Sequence, residues 1–144
     1  MKQMPQIQKV MTKLPRTIGH DIPVIRAEAL MRSEGFRHLP VLDGGRLVGI
    51  LSDRDITLAA ALGDSKMKVA DVMMPDPYVA RPDYALDRVV MEMAERKIGS
   101  AVVQQENGTV VGIFTAVDGL RVLSETLADF YRQPLESPLP RRHG

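Results

Sequence analysis

Val48-Gly49-Ile50-Leu51-Ser52-Asp53-Arg54-Asp55 decides how this chain reads. An apolar run with strand character ends on Ser-x-x-Asp, and Ile56-Thr57-Leu58-Ala59-Ala60-Ala61-Leu62 continues as a helix. Ser52 stands where a helix cap stands. A strand that runs into a capped helix N-terminus presents backbone N–H groups and the positive end of the helix dipole. That geometry suits an anion, phosphate above all. Asp55 can accept two hydroxyl hydrogen bonds, as a ribose diol offers. A plainer reading has Ser52 only capping the helix and Asp55 only occupying the first turn, where carboxylates are favoured.

The stretch occurs twice. Val111-Gly112-Ile113-Phe114-Thr115-Ala116-Val117-Asp118 repeats Val-Gly-Ile-apolar-Ser/Thr-x-x-Asp. Gly49 to Gly112 is 63 positions, and Met11 to Met73, in Val10-Met11 and Val72-Met73, is 62. The extra residue fits the turn that precedes the second motif. A repeat of this length implies a unit that cannot bury its apolar face alone.

The chain has 144 residues, enough for one domain or two very small ones. Lys plus Arg is 19 and Asp plus Glu is 18, a net charge of +1 that argues against a nucleic-acid binder driven by a bulk positive field. With no Cys, a disulfide framework and thiolate metal sites are excluded. Apolar runs are far shorter than a membrane span, and the first residues lack a signal-peptide core. A cytoplasmic location is the expectation. Aromatics are 4% and Met is 9 residues, so an aliphatic, adaptable core is expected.

Residues 1–9 are polar and are expected to lie loosely on the body. Leu14-Pro15-Arg16-Thr17-Ile18 reads as extended, since Pro15 biases its predecessor away from the α region. Asp21 and Pro23 announce a helix, with Pro23 in its first turn. Val24, Ala27, Leu30 and Met31 line one face, and Gly35 ends it. Leu39-Pro40-Val41-Leu42 is a buried strand that turns at Asp43-Gly44-Gly45 and returns antiparallel as 46–51. Pro40 places that strand at a sheet edge, or with its nitrogen off the ladder. A helix follows from Asp53 to Leu62 and stops at Gly63. A short polar link over 64–70 leads to the second copy. There Pro75, Pro77 and Pro82 keep the chain extended. Asp83 leads a helix with Leu86, Val89, Val90 and Met93 on its apolar face; Met91 and Ala94 widen the stripe and predict deep burial. Ala101-Val102-Val103 pairs with 110–114 across Glu106-Asn107-Gly108, and Leu120, Val122, Leu123, Leu127 and Phe130 belong to a long last helix. Residues 132–144 read as a disordered tail, whose prolines leave room for recognition by a partner.

Each copy thus reads β-α-β-β-α, marginal alone. The expected fold is α/β (α+β): two pseudo-symmetric repeats packed through their sheets, with the Ser/Thr-x-x-Asp turns in equivalent clefts.

The sequence resembles a tandem cystathionine-β-synthase (CBS) domain pair, or Bateman module, of the stand-alone bacterial type. The resemblance rests on the repeat spacing, the element order and two motifs. Gly35-Phe36-Arg37-His38-Leu39-Pro40 matches Gly-h-x-x-h-Pro, where h is apolar; Gly49 to Asp55 and Gly112 to Asp118 match Gly-h-h-Ser/Thr-x-x-Asp. Repeat two departs from the first motif, with Lys97 at the Gly position and Val102 at the Pro position. The resemblance implies repeats at 7–63 and 69–131. It implies an adenosine ligand: AMP, ADP, ATP or S-adenosylmethionine, with NADH a poorer match. Ser52 and Thr115 would contact phosphate, and Asp55 and Asp118 the ribose. Backbone around Thr17-Ile18, Leu39-Pro40, Val79-Ala80 and Ala101-Val102 would flank the base. It also implies a homodimer and a separate effector protein, with no cofactor required.

Arg54 could add a charge-assisted phosphate bond or be a solvated surface residue. His38 reads either as an interior or rim histidine, or as a phosphate-contacting or pH-sensing one. His20 and His143 have no partners at metal-ligand spacing. There is no activated-nucleophile order, no P-loop and no carboxylate pair spaced for acid–base work. The chain reads as a non-enzymatic nucleotide sensor, or else as a ligand-free scaffold acting through its dimer surface or tail.

Overall fold

The computed structural model describes residues 2–63 and 66–132. The expected tail, His143 included, lies outside them except for Arg132. Two four-stranded sheets carry five helices. Repeat one contains β1 (Thr12–Lys13), β2 (Ile18–Gly19), α1 (Val24–Glu34), β3 (His38–Asp43), β4 (Arg46–Ser52) and α2 (Asp53–Leu62). Repeat two contains α3 (Val69–Val72), β5 (Met74–Pro75), β6 (Val79–Ala80), α4 (Leu86–Arg96), β7 (Ser100–Gln104), β8 (Val110–Thr115) and α5 (Ala116–Tyr131). The β2-α1-β3-β4-α2 and β6-α4-β7-β8-α5 units follow the expected order. Gly44 and Gly45 supply the positive φ, 56° and 84°, that the first hairpin turn requires.

The leading strands cross between repeats. Strand order is β2-β3-β4-β5 in one sheet and β1-β8-β7-β6 in the other. So β1 of repeat one pairs with β8, and β5 of repeat two pairs with β4. Their anchors cross too. Ile7, in a single 3₁₀ turn at Ile7–Lys9, is fully buried in the repeat-two core with Val89, Val103 and Phe114. Val69 is fully buried in the repeat-one core with Leu39, Val41 and Leu51. A third cluster of Ile50, Val102 and Ile113 joins the two sheets face to face. Neither repeat completes its sheet or its core without the other.

The crossing makes room for itself at the motif glycines. A Cβ on Gly112 would lie 2.2 Å from Met11 Sδ, and one on Gly49 would lie 2.5 Å from Met73 Sδ. Each methionine of the Val-Met pairs therefore rests on the bare backbone of the other repeat's motif strand.

Several sequence expectations are corrected. The segment before residue 10 is not loose: Ile7 N–H donates to Tyr84 O at 2.8 Å, and Leu86 N–H donates to Pro5 O at 2.9 Å. The 64–70 link is already structured at its end, where Val69 and Ala70 begin α3. Leu14 is not extended but has φ 49°, and Asp76, also before a proline, has φ 52°. Proline disfavours only the right-handed α region before it, so the left-handed turn stays open where the chain leaves the partner sheet for its own. Pro23 is the N-cap of α1 rather than part of its first turn. β3 is an interior strand, so the sheet-edge option for Pro40 fails. Its nitrogen lies ahead of the β2 pairing, which uses only Val41 and Leu42. At the matching position Val102 N–H donates to Tyr78 O, a bond proline cannot make. Finally, α4 buries Leu86, Val89 and Met93 but leaves Val90, Met91 and Ala94 exposed. Helical side chains advance by about 100° per residue, so an apolar stripe this wide exceeds what one sheet face covers.

Candidate ligand-binding turns

Both Ser/Thr-x-x-Asp turns are complete capping boxes. Ser52 N–H donates to Asp55 Oδ2 at 2.8 Å, and Asp55 N–H donates to Ser52 Oγ at 3.1 Å. Thr115 N–H donates to Asp118 Oδ2 at 2.9 Å, and Asp118 N–H donates to Thr115 Oγ1 at 3.3 Å. The Thr115 hydroxyl also approaches Asp118 Oδ2, at 3.1 Å. The plain structural role read from the sequence is thus present in both copies.

The strand before each turn fixes its place. His38 is paired with Ser52 across β3 and β4, and Ser100 with Thr115 across β7 and β8. Asp53 N–H donates to Arg37 O at 3.0 Å, and Ala116 N–H donates to Gly99 O at 2.9 Å. The amides of Ser52, Asp53 and Asp55 are therefore all engaged, as are those of Thr115, Ala116 and Asp118. Among the described hydrogen bonds, only Arg54 N–H and Val117 N–H remain open in the two helix starts. The turns offer an anion one free amide and a hydroxyl each, fewer backbone donors than an uncapped helix end would.

The Asp118 side chain is 17% exposed, and Arg121 Nη1 lies 4.0 Å from its Oδ1. Asp55 is half-buried and the Arg54 side chain is exposed. At both aspartates the capping bonds use Oδ2, which leaves Oδ1 directed elsewhere. Leu39, Pro40, Ala101, Val102 and Ala80 are fully buried, backbone included, and Ile18 is buried at 9% exposure, so these residues belong to the core. Thr17 and Val79 are half-buried beside them. Thr17 and Ile18 line an open groove with Arg16, Arg26 and Phe36 that includes neither Ser52 nor Asp55, nor Thr115 or Asp118. A second groove, of about 550 Å³ between α1 and α2, is lined by Arg37 and Asp53 but again by neither capping pair.

His38 links the repeats. It is half-buried, and a Cβ built on Gly99 would lie 3.5 Å from its Nε2. Burial holds its pKa below the ordinary value of 6.5; Asp53, Asp55 and Asp118 pull it upward and Arg37 pushes it down. Charges from both turns act on this one ring. The sequence showed His38 but not that it reaches the other repeat; that depends on how the two sheets face each other. His20 pairs with Asp43 at 3.2 Å. Among the described residues, no three His, Cys, Asp or Glu side chains converge to hold a metal, and no helix is long and apolar enough to cross a membrane.

Interlocked, pseudo-symmetric α+β repeats with a capped turn at the same place in each define a tandem-repeat module. The CBS domain model matches residues 7–61 and again 69–125, and the chain belongs to the CBS domain family. It is 30% identical over 113 residues to L-aspartate semialdehyde sulfurtransferase of Methanocaldococcus jannaschii, covering 78% of this chain and 22% of that protein. It is 34% identical over 102 residues to inosine-5′-monophosphate dehydrogenase of Korarchaeum cryptofilum, covering 71% of this chain and 21% of that protein. The chain thus spans about a fifth of the length of these relatives. Among solved structures, it matches the CBS domain pair of protein MJ0100 in complex with 5′-methylthioadenosine and S-adenosyl-L-methionine. The TM-score is 0.77 and the identity 28%, covering 83% of this chain and 99% of that one.

Proposed function

We propose that the chain is a regulatory module that binds an adenosine compound in the clefts headed by the two capped turns. It has no catalysis of its own. Binding shifts its conformation or its contacts with an effector protein. The observation that carries this reading is the pair of half-buried Ser/Thr-x-x-Asp turns at the same strand register. The related domain pair with methylthioadenosine and S-adenosylmethionine bound supports the ligand class.

In this reading Ser52 and Thr115, with the Arg54 and Val117 amides, meet the phosphate or its substitute. Asp55 and Asp118 accept the ribose hydroxyls, and Arg54 and His38 add charge. The backbone at Thr17-Ile18, Leu39-Pro40, Val79-Ala80 and Ala101-Val102 flanks the base. The protein acts in the cytoplasm as a homodimer. A ligand changes the conformation only through unequal affinity for two states.

One observation favours a second reading. With three amides of each helix start already bonded within the chain, the turns are stable without ligand, as a scaffold would require. A thermal-shift screen of nucleotide-free protein separates the two. AMP, ADP, ATP, NADH and S-adenosylmethionine are compared with guanosine controls. A ligand at about a hundred times its Kd stabilises the fold by roughly 2.7 kcal/mol, a shift of several degrees at this size. A shift with an adenosine compound alone supports the sensor; no shift with any of them leaves the scaffold.

A further inference from the structure

The two capped turns share a backbone hydrogen-bond plan but not a chemistry. Directly opposite residues of an antiparallel pair carry their side chains on the same face of the sheet. His38 therefore stands beside Ser52, and Ser100 beside Thr115. The first is a half-buried imidazole; the second is a hydroxyl buried at 8% exposure. The contrast recurs two residues after each cap, at the open amides. Arg54 carries an exposed guanidinium with no ion-pair partner among the described residues, and Val117 an apolar side chain. The cap hydroxyls differ as well. The Thr115 hydroxyl donates to Asp118 Oδ2 at 3.1 Å. Ser52 Oγ accepts from Asp55 N–H at 3.1 Å, and among the described hydrogen bonds its own proton has no acceptor. The other charges do not even this out. Arg37 and Asp53 line the groove between α1 and α2, which neither capping pair reaches. Arg121 stands 4.0 Å from Asp118 Oδ1 and so faces that carboxylate.

We propose that the two clefts take different adenosine compounds: the Ser52–Asp55 turn takes one that carries phosphate, and the Thr115–Asp118 turn takes one whose 5′ group is uncharged. This rests on the adenosine reading above and assigns a ligand charge to each cleft, with Arg54 and His38 as the residues that discriminate. A phosphate leaves water only where donors and positive charge replace its hydration. The first turn has four such groups: the Arg54 amide, the free Ser52 hydroxyl, the guanidinium and the imidazole N–H. The second has the Val117 amide alone, because Asp118 already holds the Thr115 proton. A phosphate seated there would lie near the Asp118 carboxylate with its charge uncompensated. An uncharged nucleoside meets no such penalty. Asp118 is there for its diol, and Val117, 46% exposed, presents an apolar surface to its 5′ end.

Calorimetric titrations of AMP and of adenosine into the nucleotide-free full chain test this with three proteins: the unaltered chain, Arg54→Val and Val117→Arg. Each substitution gives one turn the residue of the other. The unaltered chain should bind AMP at one site more tightly than adenosine, by about 10-fold or more, as a charge-assisted phosphate contact implies. Its other site should bind adenosine at least as tightly as AMP. Arg54→Val should lower the ratio of AMP to adenosine affinity at the first site by about 10-fold. Val117→Arg should raise the number of AMP-preferring sites from one to two. Both positions are exposed, and an unchanged circular-dichroism spectrum checks the fold of each variant. Two equivalent AMP sites in the unaltered chain, or an AMP preference that either exchange leaves unmoved, overturn the proposal but leave the adenosine reading standing. No binding of either compound also overturns the proposal, and the thermal-shift screen with the other adenosine compounds then decides the reading separately.

Discussion

Replacing either motif glycine with alanine should loosen the crossing of the leading strands, and the two sites should differ in a way the structure dictates. At Gly112 the three nearest neighbours of the added Cβ all belong to the Met11 side chain: its Sδ at 2.2 Å and its Cε and Cγ at 2.9 Å. A methionine has three flexible torsions and can move aside at the cost of its own packing. Overpacking of this kind costs about 1–3 kcal/mol. At Gly49 the Cβ meets Met73 Sδ at 2.5 Å and also Met74 O at 2.9 Å. That carbonyl belongs to β5, held against β4 by the Gly49–Pro75 and Ile50–Met74 pairing, so it moves only if the strand moves. Gly49→Ala should therefore cost more, roughly 3 kcal/mol or above, with the crossing strand detached. Urea denaturation of the single variants, and of each with its methionine changed to alanine, measures this. Met11→Ala should recover part of the loss in Gly112→Ala, a coupling of about 1 kcal/mol or more. Met73→Ala should recover less in Gly49→Ala because the backbone clash remains. Gly49→Ala as stable as the unaltered chain, or equal recovery at the two sites, would refute the interlock.

Three further outcomes follow from particular residues. Ile7→Ala should destabilise the protein by about 2–4 kcal/mol in the same denaturation assay, because it empties a fully buried site in the repeat-two core. Lys97→Gly should raise the unfolding free energy by about 0.5–1 kcal/mol, since Lys97 caps α4 with φ 55°, where Gly35 caps α1 with φ 74°. For His38, burial lowers the folded-state pKa below 6.5, so the unfolded chain binds the proton more readily. Its contribution is therefore complete above about pH 6.5 and is lost as the pH falls toward the folded-state value. Melting curves between pH 7.5 and 5.5 should fall more steeply for the unaltered chain than for His38→Gln, and parallel curves would contradict this.

Much of this architecture was legible because it is written locally and twice. Ser52-x-x-Asp55 and Thr115-x-x-Asp118 announced capped helices, Gly44-Gly45 a tight turn, and Gly35 and Gly63 helix ends, all set by residues within a few positions of one another. What escaped is set by distant partners. β1 and β5 are two residues long and show no periodicity; they are strands only because another repeat's strand lies beside them. Ile7 is one apolar residue in a polar segment, and nothing near it in sequence reveals the core it fills. Val90 and Met91 were placed inside because apolar spacing gives the width of a stripe, not how much of it the domain itself covers. The position of Asp55 and Asp118 was legible; that their turns would come so fully bonded within the chain was not, because Arg37 O and Gly99 O close them from another strand.

The central claim is that these carboxylates hold a ribose. Calorimetric titration of nucleotide-free protein tests it most directly, using the adenosine compound that gives the largest thermal shift and its 2′,3′-dideoxy analogue. The analogue leaves the capping boxes intact and removes only the hydroxyls. Saturable binding of the parent compound is expected, with affinity lower by about 10- to 100-fold for the analogue, as the loss of hydrogen bonds to a charged acceptor implies. Equal affinity for the two, or no binding of any adenosine compound, would contradict the account.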